Sequence, residues 1–195
     1  MKSKDRPLRD EKLIACFTGM PGAGKSTAAK AAEDMGFEVV NMGDGVREET
    51  VRRGLPLTDK NVGAVMIDLR RRSGMGAVAH LALPKIRSSK SLLVAVDGVR
   101  NLEEVEVFRE AGLVRILAIH AAPEVRFRFL GGRDREDAPK SWKLFEERDE
   151  REISVGVGSV MALADDIISN NGISIEGLKE ETRKVLSRWV GSIER

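Results

Sequence analysis

The 195-residue sequence predicts an α/β fold in which a parallel five-stranded sheet lies between two layers of helices. Three observations carry this expectation. Five short apolar runs alternate with longer stretches of helical spacing. Those stretches tend to open at Ser, Thr or Pro or to close at glycine. A glycine-rich loop, GMPGAGKST at 19–27, follows the first apolar run directly.

The strands are predicted at 13–18, 38–41, 91–97, 114–120 and 166–169. Each is short and rich in Val, Ile, Leu or Ala, as strands covered on both faces are. Between them, 26–35 reads as a helix ending before Gly36, and 102–111 as a helix with Gly112 as its C-cap. Thr58 can cap a helix through Leu69, and Ser174 can cap a terminal helix over 175–190. Pro123 suits a first helical turn. The stretch 73–87 is helical in pattern, with Pro84 placed to kink or end it. Gly131 to Lys140, GGRDREDAPK, is too polar for core and reads as a surface segment. Strands joined through helices imply right-handed crossovers and a single domain over 1–195.

Composition narrows the function. The net charge is +2, from 33 basic and 31 acidic residues, which gives no strong nucleic-acid or membrane attraction. Six Phe, two Trp and no Tyr do not supply the ring platforms that bind single strands. The single cysteine, Cys16, excludes an internal disulfide and a cysteine-based zinc cage, and reads as a small core residue. No run approaches the length of a membrane span, and the charged N-terminal stretch lacks the apolar core of an export signal, so a cytoplasmic protein is expected.

GMPGAGKS matches G-x-x-x-x-G-K-[ST] at Gly19, Gly24, Lys25 and Ser26. Backbone N–H groups must converge on phosphate oxygens without side chains in the way, which explains Gly22, Ala23 and Gly24 after Pro21. The helix that follows turns its positive dipole end toward the anion. Lys25 reaches the terminal phosphates, the Ser26 hydroxyl is a Mg²⁺ ligand, and Thr27 adds a contact to the α-phosphate. Asp97, at the tip of the third strand in SLLVAVDGVR, is the second expected metal-site residue. ATP and Mg²⁺ are therefore the expected cofactors.

The remaining motifs favour a kinase over other nucleotide users. The guanine reader N-K-x-D of common GTPases is absent from the sequence. Arg47, Arg100, Arg126, Arg133, Arg135, Arg148 and Arg151 are candidate cations for a second anion and for the transferring phosphoryl group. Arg151 serves the site or pairs with Glu147 along its helix. Arg70, Arg109 and Arg128 read as solvated surface ion pairs. His80 and His120 read as structural, with His120 at a strand tip near the site.

GMPGAGKST, MGDGVREETVRRG, VAVDGVR, RDRED and ERDERE together resemble a nucleoside monophosphate kinase, and within that group the archaeal family of adenylate-kinase-related P-loop proteins. The resemblance covers nearly the whole chain. It implies a P-loop NTPase fold with a helical acceptor-binding region over about 43–88 and a short lid over about 126–152. It implies that Asp44, Arg47 and Arg100 bind the acceptor phosphate, and that Arg126, Arg133 and Arg135 belong to the lid and donor side. Arg148 would bridge both phosphates in the transition state. The stretch ADDIISNNG is similar to one in dephospho-coenzyme A kinases and makes Asn170 a donor-adenine neighbour. The catalytic residues so implied are Lys25, Arg133 and Arg148.

Two departures bear on the acceptor. The stretch from Asp97 to Arg100 lacks the proline of adenylate kinases, and the chain contains no glutamine to read adenine. The lid carries no zinc-binding cysteines. The expected activity is transfer of the ATP γ-phosphoryl to a phosphorylated acceptor such as AMP, with a dephospho-coenzyme A-like molecule as the other acceptor. A nucleotide-driven switch acting on a protein or ribonucleoprotein partner is the alternative from a different class.

Overall fold

A computed structural model describes residues 11–132 and 139–193. Its five strands are β1 (Leu13–Thr18), β2 (Glu38–Asn41), β3 (Leu93–Val99), β4 (Leu113–His120) and β5 (Asp166–Ser169), all parallel in the order β2-β3-β1-β4-β5. The helices are α1 (Lys25–Asp34), α2 (Met42–Arg52), α3 (Asp59–Ser73), α4 (Ala77–Ser88), α5 (Leu102–Arg109), α6 (Pro123–Gly131), α7 (Trp142–Val155), α8 (Val157–Ala162) and α9 (Ile175–Ile193).

Side-chain alternation along β1 splits the core in two. Ile14 and Cys16 face a cluster built with Val94, Val96, Ile116 and residues of α2, α3, α4 and α5. Leu13, Ala15 and Phe17 face the other layer, where Ala28, Ala29 and Ala32 of α1 and Leu178 and Leu186 of α9 close over the sheet. The alanines of α1 keep that helix close to the strands. Cys16 is fully buried, and burial pushes its thiol far above the ordinary range, which fits a core residue.

Several terminators behave as the sequence indicates. Pro123 occupies the first turn of α6, the Thr58 side chain accepts from Asn61 N, and the Ser174 hydroxyl accepts from Gly177 N at 3.0 Å. Three expectations need correction. Gly112 does not cap a helix in a left-handed conformation; a Cβ there would lie 2.3 Å from the Lys12 carbonyl oxygen, so close backbone approach requires the glycine. The stretch 73–87 is not one helix, because α3 ends at Ser73 and α4 runs from Ala77 through Pro84. Arg70 is not on the surface. It is 5% exposed and its Nη2 donates to Glu104, which is fully buried.

All five strands end at one edge of the sheet, and the chain's winding reverses around β1. In open parallel sheets the ligand site forms at that edge.

Candidate active site

The loop after β1 closes against other backbone, and its glycines are fixed by contact. Gly19 has φ +142°, and a Cβ there would meet the Ile119 carbonyl oxygen at 2.2 Å. Gly24 has φ +112° and lies against Asn170 Nδ2 and Leu178. The Asn170 side chain is buried and donates to the Ala23 carbonyl at 2.9 Å, so β5 holds the loop from below. Arg126 holds it from the side. Its guanidinium donates to both Asp149 carboxylate oxygens at 2.8 and 2.6 Å, to the Ala121 carbonyl and to the Pro21 carbonyl, and lies 4.8 Å from the centre of the Phe145 ring.

Lys25 Nζ donates to Gly19 O at 2.7 Å and to Met20 O at 3.2 Å. Burial pushes its amine down to about 8; the Asp97 carboxylate opposes that shift, whereas Arg100 adds to it. The unfolded chain keeps this proton up to its ordinary value of 10.5. Between about pH 8 and 10.5 the unfolded state therefore binds more protons, and the Lys25 contribution makes stability rise with pH. Urea unfolding of the nucleotide-free chain is expected to show Lys25→Met more stable than wild type at pH 7, with the gap closing through that window. A pH-independent gap would contradict the shift.

Asp97 sits 6% exposed near the tip of β3. The β1–β3 register slips between Phe17 and Thr18, leaving Gly98 as an extra residue with φ +98°, and Thr18 Oγ1 donates to Val99 O across it. Asp97 Oδ1 is buried without a hydrogen-bond partner, while Oδ2 lies 3.4 Å from Ser26 Oγ and 3.5 Å from Asn41 Nδ2. One orphaned carboxylate oxygen beside a hydroxyl fits Mg²⁺, which keeps most of its waters and takes phosphate oxygens. Among the described residues no group of three or more His, Cys, Asp or Glu side chains is placed to hold a metal ion. Asn41 was not legible as a site residue. Its Oδ1 caps α2 by accepting from Gly43 N at 2.8 Å, which the Asn-Met-Gly stretch at the end of β2 signals weakly.

Beside this loop lies a cavity of about 460 Å³ lined by Arg47, Arg100, Arg148 and Arg151, by the carboxylates Asp59 and Glu152, and by the apolar Val46, Leu57, Val62 and Met66. Arg100 Nε donates to Glu152 Oε2 at 2.6 Å. Burial pushes the Glu152 carboxyl up, but the charges of Arg100, Lys25 and Arg148 outweigh burial and hold it below its ordinary value. Lys25 in turn feels Asp97, Arg100, Glu152 and Arg148, so loop and cavity form one electrostatic unit. Arg47 pairs with Asp44 at 2.6 Å along α2. Arg151 pairs with Asp59 of α3, not with Glu147 along its own helix. Arg133 and Arg135 lie outside the described residues. His80 and His120 are exposed, and Arg109 and Arg128 lie on the surface as expected.

An AAA domain family matches residues 18–145, from the end of β1 into α7. A UPF0200 protein of Thermococcus gammatolerans is 46% identical over 188 residues, covering 94% of this chain and 96% of that protein. The chain belongs to the UPF0200 family. A UPF0200 member of Methanosarcina mazei is 43% identical over 182 residues, covering 92% of this chain and 96% of its own length. Among solved structures, shikimate kinase from Bacteroides thetaiotaomicron superposes with a TM-score of 0.63 at 16% identity, covering 90% of this chain and 98% of that one. Shikimate kinase from Acinetobacter baumannii in complex with shikimate gives 0.59 at 14% identity, covering 95% and 96%. These structures share the fold of this UPF0200 chain: a P-loop kinase-like α/β fold with strand order β2-β3-β1-β4-β5. Nucleotide binding follows from the loop. No described helix is long and apolar enough to cross a membrane.

Proposed function

We propose that this chain is an ATP- and Mg²⁺-dependent kinase that transfers the γ-phosphoryl group to a phosphate on a small acceptor, a nucleoside monophosphate such as AMP. The observation that carries this reading is the arginine-lined cavity coupled to Lys25. Four guanidinium groups line it, with the Lys25 amine in electrostatic reach, which suits an anionic acceptor.

In this reading the amides of Gly19 to Thr27 hold the donor phosphates, and Lys25 exchanges its carbonyl partners for terminal phosphate oxygens. Ser26 and Asp97 hold Mg²⁺, whose charge offsets that of the phosphates. Arg47, from α2, and Arg100, beyond the β3 tip, fix the acceptor phosphate, with Asp44 orienting Arg47. An acceptor oxygen attacks the γ-phosphorus as the bond to the β–γ bridging oxygen breaks, and ADP departs. Arg148 of α7, which lines the cavity and whose charge reaches Lys25, would stabilise the charge that develops. Val46, Leu57, Val62 and Met66 offer the rest of the acceptor an apolar wall. With no Asn, Gln or aromatic ring in that lining, base selectivity is expected to be broad, and a dephospho-coenzyme A-like acceptor would use the same wall. The region over about 43–88 would receive the acceptor, and the stretch over about 126–152, of which 133–138 lie outside the described residues, would serve as the lid.

The test is ADP release from magnesium-ATP across the common nucleoside monophosphates and dephospho-coenzyme A. Acceptor-dependent turnover that Arg100→Ala abolishes supports the reading. ATP binding without acceptor-dependent turnover would contradict it and favour the switch reading.

A further inference from the structure

A carboxylate at the start of α3 faces two arginines of α7 across the cavity. Asp59 is the first residue of α3, after the cap Thr58. Its Oδ1 and Oδ2 accept from Arg151 Nη2 at 3.1 and 2.9 Å, and Oδ1 lies 3.5 Å from Arg148 Nε. The Arg151 guanidinium rests on the α3 backbone where Gly63 provides room, since a Cβ there would sit 3.0 Å from Arg151 Cζ. Asp59, Arg148 and Arg151 all line the same cavity.

We propose that Asp59 is an internal counter-anion for Arg148 and Arg151, displaced by an acceptor phosphate that reaches them from Arg47 and Arg100, so that it sets which acceptors the cavity admits. This rests on the kinase reading of the same site. The carboxylates in the cavity differ in how readily they can leave. Glu152 is 6% exposed at its side chain and stays with Arg100; Asp59 is 36% exposed and can swing into water. A carboxylate brings one negative charge and two oxygens. A phosphate monoester near neutral pH brings close to two charges and three oxygens, and so satisfies both guanidinium groups at once. Exchange therefore favours a phosphomonoester dianion. A carboxylate or a monoanionic diester gains nothing over Asp59 itself and is refused. The exchange also removes the Asp59–Arg151 hydrogen bonds between α3 and α7.

The experiment titrates inorganic phosphate at pH 8 into the full chain loaded with magnesium-ADP, by calorimetry, for wild type, Asp59→Asn, Asp59→Glu and Arg100→Ala. Asp59→Asn is expected to bind phosphate roughly ten-fold more tightly, and Asp59→Glu, which keeps the charge, within a few-fold of wild type. A gain of affinity is not what a damaged fold produces. Should the Asn variant not fold, Asp59→Ser carries the same expectation at a helix start. If the neutral variants bind phosphate no better than wild type while Arg100→Ala weakens it, the Asp59 proposal is overturned and the acceptor site stands. If phosphate binds to none of them, or binds without regard to Arg100, both fail together.

Discussion

Lys25→Met is expected to lower acceptor-dependent turnover by roughly 10²–10³-fold while leaving the nucleotide-free fold more stable. Both effects come from one ammonium group. Among the described residues Lys25 hydrogen-bonds to the carbonyls of Gly19 and Met20, and desolvation disfavours its charge. A triphosphate supplies the anionic partner that the empty loop lacks, so the charge costs stability before binding and is used afterwards. Methionine removes the cost and the function together. Steady-state kinetics and unfolding of the same preparation measure the pair. A variant both inactive and less stable would mean that Lys25 supports the loop rather than the ligand.

Arg70→Met is expected to cost about 3–5 kcal/mol in urea unfolding, the range for breaking a buried ion pair from one side. Glu104 is fully buried and serves two partners: Arg70 Nη2 on one oxygen, and the Arg100 backbone N–H on the other at 2.7 Å. It also stands at the third residue of α5, where Asn101 Oδ1 accepts from its N–H. Losing Arg70 leaves a carboxylate in the core with one backbone donor. Because that carboxylate orients the start of Arg100, the variant is also expected to raise the acceptor KM more than the ATP KM. A loss below about 1 kcal/mol would place the pair in water, as the sequence alone had suggested.

The contrast between these two residues shows what the chain made legible. Lys25 was readable because its role is local: a motif of nine residues, a strand before it and a helix after it. The strand at 13–18 was readable for a similar reason, since burial on both faces writes a continuous apolar run. The partly exposed edge strands at 38–41 and 166–169 were marked only by the pairs Val39-Val40 and Ile167-Ile168. Arg70 was not readable. Its partner lies 34 residues away, and a charged residue in a run of three arginines at a helix end looks solvated until tertiary packing is known. Asp59 was missed likewise, because 92 residues separate it from Arg151 and its place in the first turn of α3 already has a local explanation. Gly112 illustrates the converse. A glycine after a helix suggests a cap, yet the constraint comes from Lys12 on a neighbouring segment. The cations around the cavity, and Asp44 beside Arg47, were nameable from sequence; the carboxylates Asp59 and Glu152 that arrange the rest were not.

The most direct measurement is a crystal structure of the chain with Mg²⁺, a non-hydrolysable ATP analogue and phosphate. The triphosphate is expected in the cradle of Gly19 to Thr27 with Lys25 turned onto its terminal oxygens, Mg²⁺ between Ser26 and Asp97, and a separate tetrahedral anion among Arg47, Arg100 and Arg148. A triphosphate in that cradle with Lys25 still on Gly19 and Met20, and no anion among those arginines, would contradict it.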